Sequence, residues 1–543
     1  NIYGGSNQSN INGTVYINTF NGTVEGAIYG GSNQKGTITQ SSNININGGT
    51  IGVPDDGIDD IIFGGGLGNG TTVSGDAIIN IKDINANLVL NGNIYGGSQA
   101  GTVSRNSIIT VSDSTSATNS ISITGNIFGG GKGAENDPAT TNGNTTVIVD
   151  GGEYSGLSVF GGCNVNGDIG GNVLVEIGKN NTTKVDFVYG AGNEADISPE
   201  TNSVQVDIFS NATVESAFNG GNEAGIEGTN AVIPRKITVD GGTVTNLYGG
   251  SNSEGDLIDT YVYVKNNAVI GNVYGGGLGV DTHITGNTHL DINGSTITGS
   301  AYGGGSLGVV QGNTSVNVKD SNINKSLYGG GQAASVGTTD VNVENSTITN
   351  NIYGGGEEGS VIGNVNGKST DVYIYNNSQS QNVFGGGKGQ QATVANNTVV
   401  TIESSKVIGT KEEMDATTPA DNGNVYGGGD QGLVSGNTSI TISDSSEITN
   451  NIFGGGNQAN VGGDTSISIE NSNAFSIYGG GNAGEVGGTT TVTPLGSTID
   501  KNIYGGGNQG AVIGNTYILV SDSVDDDGNP LNISEIGGSI YGG

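Results

Sequence analysis

Apolar and polar residues alternate in short runs that recur along the chain. The runs TSISIE at 465–470, NTSVNVK at 313–319 and NTSITIS at 437–443 place Ile or Val at every second position. Period-two alternation is typical of a β-strand with one buried face. A further strand is predicted in STITNNIY at 346–353. No segment has a 3.6-residue period, and glycine and β-branched residues disfavour helix, so the pattern predicts an all-β protein.

A second pattern divides the chain into repeats. An aliphatic residue, then Tyr or Phe, then glycine or another small residue returns 19 times, and the shortest intervals are 25 and 26 residues. Three short strands per repeat cannot bury their apolar faces alone, but stacked neighbours can. We therefore predict a right-handed parallel β-helix, a β-solenoid of about 19 coils of about 25 residues with loop insertions. A β-propeller is the alternative, but its blades need about 40–50 residues.

The repeated residues predict two ladders. The aromatic ladder comprises Tyr274, Tyr302, Tyr328, Tyr353, Phe384, Tyr426, Phe453, Tyr478 and Tyr504. If the strand alternates, the rings form an external ladder over glycines of adjacent coils; if a bulge interrupts it, they turn into the core. The Gly-Asn-Thr turn predicts a ladder of stacked amides at Asn287, Asn313, Asn437 and Asn515.

Composition and charge restrict the partners. The 543 residues include 104 glycines and only 32% hydrophobic residues, which fits a thin, regular core. The net charge of −35 and the lack of clustered Lys and Arg exclude binding to nucleic-acid phosphates. No stretch of about 18 apolar residues occurs, so this segment is not expected to insert into a membrane. The single cysteine, Cys163, excludes an internal disulfide framework.

Few motifs suggest chemistry. GGGNQG at 505–510 fits the dinucleotide pattern G-x-G-x-x-G, but a turn and a strand are predicted after it, where that fold needs a helix. Metal candidates are Asp525 and Asp527, in a segment that resembles the start of an EF-hand loop but lacks its final glutamate, and His283 and His289 in DTHITGNTHLD. The adjacent acids Glu357-Glu358 and Asp59-Asp60 point to opposite faces of a strand. We therefore expect no cofactor, with Ca²⁺ in acidic loops as the only exception considered, and no enzymatic activity.

The recurring unit IYGGGNQG…VxGNTxVxI resembles repeats of large bacterial surface proteins with parallel β-helical stalks, broadly adhesin-like. The resemblance implies secretion, attachment to the cell envelope and an exposed rod. We expect 1–543 to be one continuous β-solenoid, either an internal segment of a longer chain or a filament subunit. The expected function is a structural rod at the cell surface that self-associates end to end or laterally, with glycans or proteins as other partners. The alternative is a polysaccharide-binding or polysaccharide-cleaving β-helix.

Overall fold

The protein is a parallel β-solenoid, as the repeats predict. The computed structural model describes residues 1–54, 59–82, 87–113, 120–197, 203–226, 235–363, 365, 367–409, 422–524 and 530–543. These residues contain no helix, and their strands stack on successive coils in parallel register, apart from the antiparallel pair Ser523–Val524 and Pro530–Asn532. The predicted fold class is confirmed, while the right-handed sense and the number of 19 coils stay predictions.

The chain divides into two compact units. Unit 1 comprises Asn1–Ile270 and Gly277–Thr285, and unit 2 comprises Gly271–Gly276 and Gly286–Gly543. The expectation of a single continuous solenoid over 1–543 stays a prediction.

The longest strands form a sheet of alternating residues in each unit, here called the alternating sheet. In strand Thr465–Glu470, Ile467 and Ile469 are fully buried while Ser466 and Glu470 are exposed. In unit 1 the strands are Val15–Thr19, Ser42–Ile46, Ala77–Lys82, Ser107–Ser112, Thr145–Asp150, Val173–Ile177, Val204–Phe209, Arg235–Asp240 and Thr260–Lys265. In unit 2 they are Thr288–Asn293, Thr314–Lys319, Thr339–Glu344, Lys368–Tyr375, Asn397–Glu403, Thr438–Ser443, Thr465–Glu470, Thr490–Leu495 and Thr516–Ile518.

A second sheet, the aromatic sheet, carries the aliphatic–aromatic pairs. In unit 1 its strands are Ile2–Tyr3, Ile28–Tyr29, Asp60–Phe63, Asn93–Tyr95, Ile127–Phe128, Gly152–Glu153, Ser158–Phe160, Thr183–Tyr189, Ala212–Phe218 and Thr243–Tyr248. In unit 2 they are Thr296–Ile297, Ala301–Tyr302, Asn322–Ile323, Leu327–Tyr328, Thr347–Tyr353, Gln379–Phe384, Lys406–Val407, Val425–Tyr426, Glu447–Phe453, Asn473–Tyr478, Thr498–Ile499, Ile503–Tyr504, Glu535–Ile536 and Ile540–Tyr541. Strand Val269–Tyr274 has residues in both units.

Shorter strands complete the coils. In unit 1 they are Thr23–Val24, Gly49–Ile51, Leu88–Leu90, Ile121–Ile123, Lys35–Ile38, Gly70–Val73, Thr102–Val103, Ala139–Thr141, Gly167–Ile169, Glu254–Leu257 and Asp281–Ile284, and in unit 2 Val309–Val310, Ser523–Val524 and Pro530–Asn532. In unit 2 the short segment between the glycines and the alternating strand forms mainly single parallel bridges between valines, such as Val434 to Val461. The segment after GGGNQG follows this pattern, since Val512 bridges to Val486 before strand Thr516–Ile518 begins.

Two kinds of hydroxyl contact fix the coils. At the start of most alternating-sheet strands of unit 2, a buried Thr hydroxyl donates to the carbonyl of the first glycine after the next ring, as from Thr314 to Gly329 at 2.6 Å. At the end of these strands, a buried Ser hydroxyl accepts the backbone N–H of the corresponding Ser one coil earlier, as from Ser295 to Ser321 at 3.1 Å. Each coil is thereby tied to the next at both ends of its main strand.

Candidate functional site

The repeated aromatic side chains stack face to face within each unit. In unit 2 the ring centroids from Tyr274 to Tyr541 are 4.7–5.0 Å apart with planes 3–13° from parallel. In unit 1 the spacing from Tyr3 to Tyr248 is 4.5–5.1 Å. These values match the spacing of hydrogen-bonded strands, so the backbone sets the ring geometry. The stack contains all nine rings of the predicted aromatic ladder.

Most of these rings are buried. Tyr353 is 2% exposed and Phe384 4%, whereas Tyr478 and Tyr504 are half-buried. Residues from the segment after the glycines cover the rings: the Tyr302 hydroxyl donates to Glu357 at 2.8 Å. Loop side chains therefore cover the ladder, and most of its rings are not exposed to solvent. Burial raises the pKa of Tyr274 to about 12, and burial together with Glu357 raises that of Tyr302 further.

A polar ladder that we did not predict runs beside the rings, four residues after each one. In unit 2, Asn482 donates to Asn457 and Asn508 donates to Asn482, both at 2.8 Å. In the same ladder the Lys388 ammonium lies 2.8 Å from the Glu357 carboxylate. The sequence signal was the Asn that often follows the three glycines, to which we had assigned no role.

The predicted turn ladder has a different bonding pattern from stacked amides. The Asn287 side-chain oxygen accepts the backbone N–H of Asn313 at 2.9 Å, and that of Asn437 accepts the N–H of Asp464 at 2.8 Å. Asn515 is exposed, and its carbonyl accepts the N–H of Thr490. Side chain-to-backbone bonds replace the expected amide-to-amide bonds because the turn presents an N–H to the coil before it.

The metal candidates do not converge in the described residues. His283 belongs to unit 1, where its Nδ1 lies 2.9 Å from Asp256, and His289 belongs to unit 2. Asp525 and Asp527 lie outside the described residues. Across the described ranges no group of three or more His, Cys, Asp or Glu side chains could hold a metal ion.

Unit 2 carries a polar groove on the open face of the alternating sheet. Its first part, about 460 Å³, is lined by Asn287, His289, Asn313, Thr314, Ser315, Thr338, Thr339, Asp340, Val365, Lys368, Ser369 and Asp371. Its second part, about 390 Å³, is lined by Gly367, Lys368, Asn397, Thr398, Val399, Asn437, Thr438, Ser439, Asp464, Thr465 and Ser466. Both parts contain Lys368, so they form one surface, here called the polar groove.

Four side chains occupy one row of the polar groove on successive strands. His289 pairs in register with Ser315, Ser315 with Asp340, and Asp340 with Asp371. The Lys368 ammonium lies 2.6 Å from the Asp371 carboxylate, and Asn342 donates to Asp340 at 2.9 Å. The pKa of Asp340 is raised, mainly by loss of solvation in the groove and to a smaller extent by the negative charge of Asp371. The row therefore combines hydrogen-bond donors and acceptors with two carboxylates, of which Asp371 pairs with an ammonium group and Asp340 accepts from an amide.

Unit 1 contains buried polar groups at unusual positions. Arg235 is 1% exposed, and its Nε and Nη2 atoms lack a hydrogen-bond partner within the described part of the chain. Asn219, where most coils have glycine, is fully buried, and its amide is likewise unpaired there. Cys163 is also buried, which raises the pKa of its thiol to about 12 and keeps it protonated.

Comparisons with protein-family models, curated proteins and solved structures find no match to this chain. The fold alone therefore defines the class of protein, a parallel β-solenoid. None of the described residues belongs to a helix that is long and apolar enough to cross a membrane.

Proposed function

We propose that the chain is a non-enzymatic extracellular structural protein, either a segment of a surface-adhesin stalk or a subunit of a fibre. The observation that carries this proposal is the repetition of the same buried contacts from coil to coil. Most coils of unit 2 contribute a stacked ring, a Thr-to-glycine bond and a Ser-to-backbone bond. A solenoid whose coils share one set of contacts is stabilised by its nearest-neighbour interfaces, which suits a load-bearing or spacing role.

The resemblance of the IYGGGNQG repeats to bacterial surface stalks supports the extracellular location. Self-association and binding of glycans or proteins belong to the same proposal. The net charge of −35 is compatible with exposure to water and disfavours polyanionic partners.

Labelling of intact cells tests this function. An antibody raised against the chain is expected to bind unpermeabilised cells of the source organism, and added protease is expected to remove that signal. A cytosolic protein is the matched control, and it should be labelled only after permeabilisation. If the chain behaves like that control, the extracellular proposal is wrong.

Polysaccharide cleavage is the second candidate, because Asp340 and Asp371 occupy neighbouring strands in one groove. Parallel strands lie about 4.8 Å apart, close to the roughly 5–5.5 Å between the carboxyl groups of retaining glycosidases. Incubation with cell-wall and plant polysaccharides tests it by the appearance of new reducing ends or unsaturated products. Product formation that Asp371→Asn abolishes would replace the non-enzymatic proposal.

A further inference from the structure

The polar groove repeats its hydrogen-bonding groups at the spacing of the strands. One wall consists of turn side chains, Asn287, Asn313, Asn397, Asn437 and Asp464, and the floor of outward side chains, His289, Ser315, Asp340, Asp371, Ser439 and Ser466. Successive floor positions belong to adjacent strands, about 4.8 Å apart, and Val399 occupies the one floor position between Asp371 and Ser439. A groove with a regular repeat along its length fits a linear ligand that is itself regular.

The chemistry of the lining selects among linear polymers. The described lining residues are predominantly hydroxyl, amide, carboxylate, imidazole and ammonium groups, with apolar contributions from Val365 and Val399. Such a surface offers little to an apolar chain but matches a polymer with many hydroxyl groups. Among the described residues Asp340 accepts a hydrogen bond from Asn342, and a carboxylate that lines the groove has capacity to accept more.

Charge and strand pairing disfavour two other occupants. A polyanion meets the carboxylates of Asp340, Asp371 and Asp464 in a chain with net charge −35. An extended peptide commonly binds by adding a strand to an open sheet edge. The strands under the groove already pair on both sides, as Thr339–Glu344 does with Thr314–Lys319 and Lys368–Tyr375.

An insertion builds the side of the groove beside the two carboxylates. The coil from Tyr353 to Phe384 is longer than the 25-residue unit, and the added residues include Val365, Gly367 and Lys368. Backbone bonds between Val365 and Lys368 hold this segment, and the Lys368 ammonium reaches Asp371 at 2.6 Å. The insertion thereby adds the Lys368 ammonium as a donor, and part of a wall, beside the acceptors Asp340 and Asp371 on the floor.

We propose that the polar groove of unit 2 binds a linear polysaccharide that is uncharged or carries amino groups. In this arrangement Asp340 and Asp371 accept hydrogen bonds from sugar hydroxyl or ammonium groups, while Lys368, His289 and Asn313 supply donors. This proposal rests on the proposed function at the cell surface. It adds to that function a class of ligand for one face of the protein.

Calorimetric titration of the whole chain tests the proposal, with cellohexaose and chitohexaose as uncharged probes, chitosan hexamer as the amine-bearing probe and oligogalacturonate as the anionic control. We expect at least one of the first three to bind and the anionic control not to bind. The double variant Asp340→Ala/Asp371→Ala should weaken binding at least tenfold, which is about 1.4 kcal/mol. Glu470→Ala removes an exposed carboxylate from the same sheet outside the described lining, so it should leave affinity unchanged.

A second variant separates loss of binding from loss of folding. Ser315→Gln fills the groove without changing charge, and its side chain lies on the open face, so it should also weaken binding while the circular dichroism spectrum stays unchanged. Absence of binding by every uncharged and amine-bearing probe would overturn the proposal, as would equal affinity of wild type and both groove variants. Intracellular location would refute the proposed function without changing these titrations.

Discussion

The hydroxyl of Thr314 shows how a single side chain closes a coil. It is fully buried and donates to the Gly329 carbonyl at 2.6 Å. Seven other threonines of unit 2 make the same bond at 2.5–2.7 Å, namely Thr288, Thr339, Thr370, Thr398, Thr438, Thr465 and Thr490. Threonine at this position therefore links the start of the alternating strand to the glycine after the next ring.

The substitution Thr314→Val tests that role. Valine has nearly the same shape, so the change removes the donor and leaves a buried carbonyl without this partner. We expect the local free energy of opening, measured by hydrogen exchange of Thr314–Lys319, to fall by about 1–3 kcal/mol. Thr441→Val is the control, because Thr441 is exposed on the equivalent strand Thr438–Ser443. It should change the free energy of opening of that strand by no more than about 0.5 kcal/mol. Equal effects of the two variants would contradict the role of the buried bond.

Arg235 is a residue-scale exception to the same pattern. It begins an alternating-sheet strand in register with Val204, and burial lowers the pKa of its guanidinium despite the nearby Asp259. A lowered pKa for a cation means that the folded state disfavours the charge. Asn219 and Arg235 therefore each place polar atoms where other coils place small, apolar or hydroxyl side chains.

The substitution Arg235→Met should therefore stabilise unit 1. Methionine keeps the length of the side chain without its charge, and replacement of buried charged groups by apolar ones can stabilise proteins by about 1–4 kcal/mol. Lys236→Met is the matched control, since it removes the same charge from the half-buried next residue. Urea unfolding followed by circular dichroism measures both variants. A lower urea midpoint for Arg235→Met alone would show that attraction to Asp259 outweighs the cost of burial.

At the scale of elements, the corners after the alternating strands depend on one backbone conformation. In unit 2 the residue before the buried serine at these corners has a positive φ of 45–62°, at Gly294, Asp320, Asn345, Asn377, Ser404, Ser445, Asn471 and Gly496. This left-handed conformation lets the chain turn so that the serine faces the corresponding serine of the next coil. Asn, Asp and Gly tolerate it best, which accounts for most of these residues.

Gly294 allows the cost of this conformation to be measured without a steric clash. Its φ is +57°, and an added Cβ would meet no atom within 4 Å. We expect Gly294→Ala to lower the stability of this corner by about 1 kcal/mol, because alanine is strained at positive φ. Gly294→Asn adds a larger side chain but should cost less than alanine. Hydrogen exchange of Thr288–Asn293 measures both variants, and a larger loss for asparagine would contradict the backbone explanation.

Sequence patterns predicted the strands of the solenoid better than its corners or its groove. The alternation of Ile467 and Ile469 with serines is local, and so it specified the strand Thr465–Glu470. The serine corners were not predicted, because Ser321 bonds to a residue one coil away and a short Asn/Asp-Ser sequence resembles any turn. The polar groove was not predicted either, because it also depends on contacts between coils. His289 and Asp371 share one row only because the coils between them stack in register, which no local pattern specifies.

At the scale of the whole molecule, the buried tyrosines link stability to alkaline pH. Burial raises the pKa of Tyr29 and Tyr189 in unit 1, and of Tyr274 in unit 2, to about 12 from 10.0. Both units therefore keep these phenols protonated at pH values where an unfolded chain would lose the protons. Their contribution to stability is complete below pH 10 and is lost as the pH rises through 12.

We expect both units to unfold cooperatively between pH 10 and 12. In this range the unfolded state binds fewer protons, so each of these tyrosines lowers the free energy of unfolding by about 1.4 kcal/mol per pH unit. Absorbance of tyrosinate and the β-sheet signal in circular dichroism should change together during an alkaline titration. Tyr274→Phe should make the loss of stability of unit 2 less steep by that amount, because phenylalanine occupies the same ladder at Phe384 and Phe453 without a titratable group. Ionisation of most tyrosines near pH 10 with an unchanged β-sheet signal would show that the rings are accessible, contrary to a buried ladder.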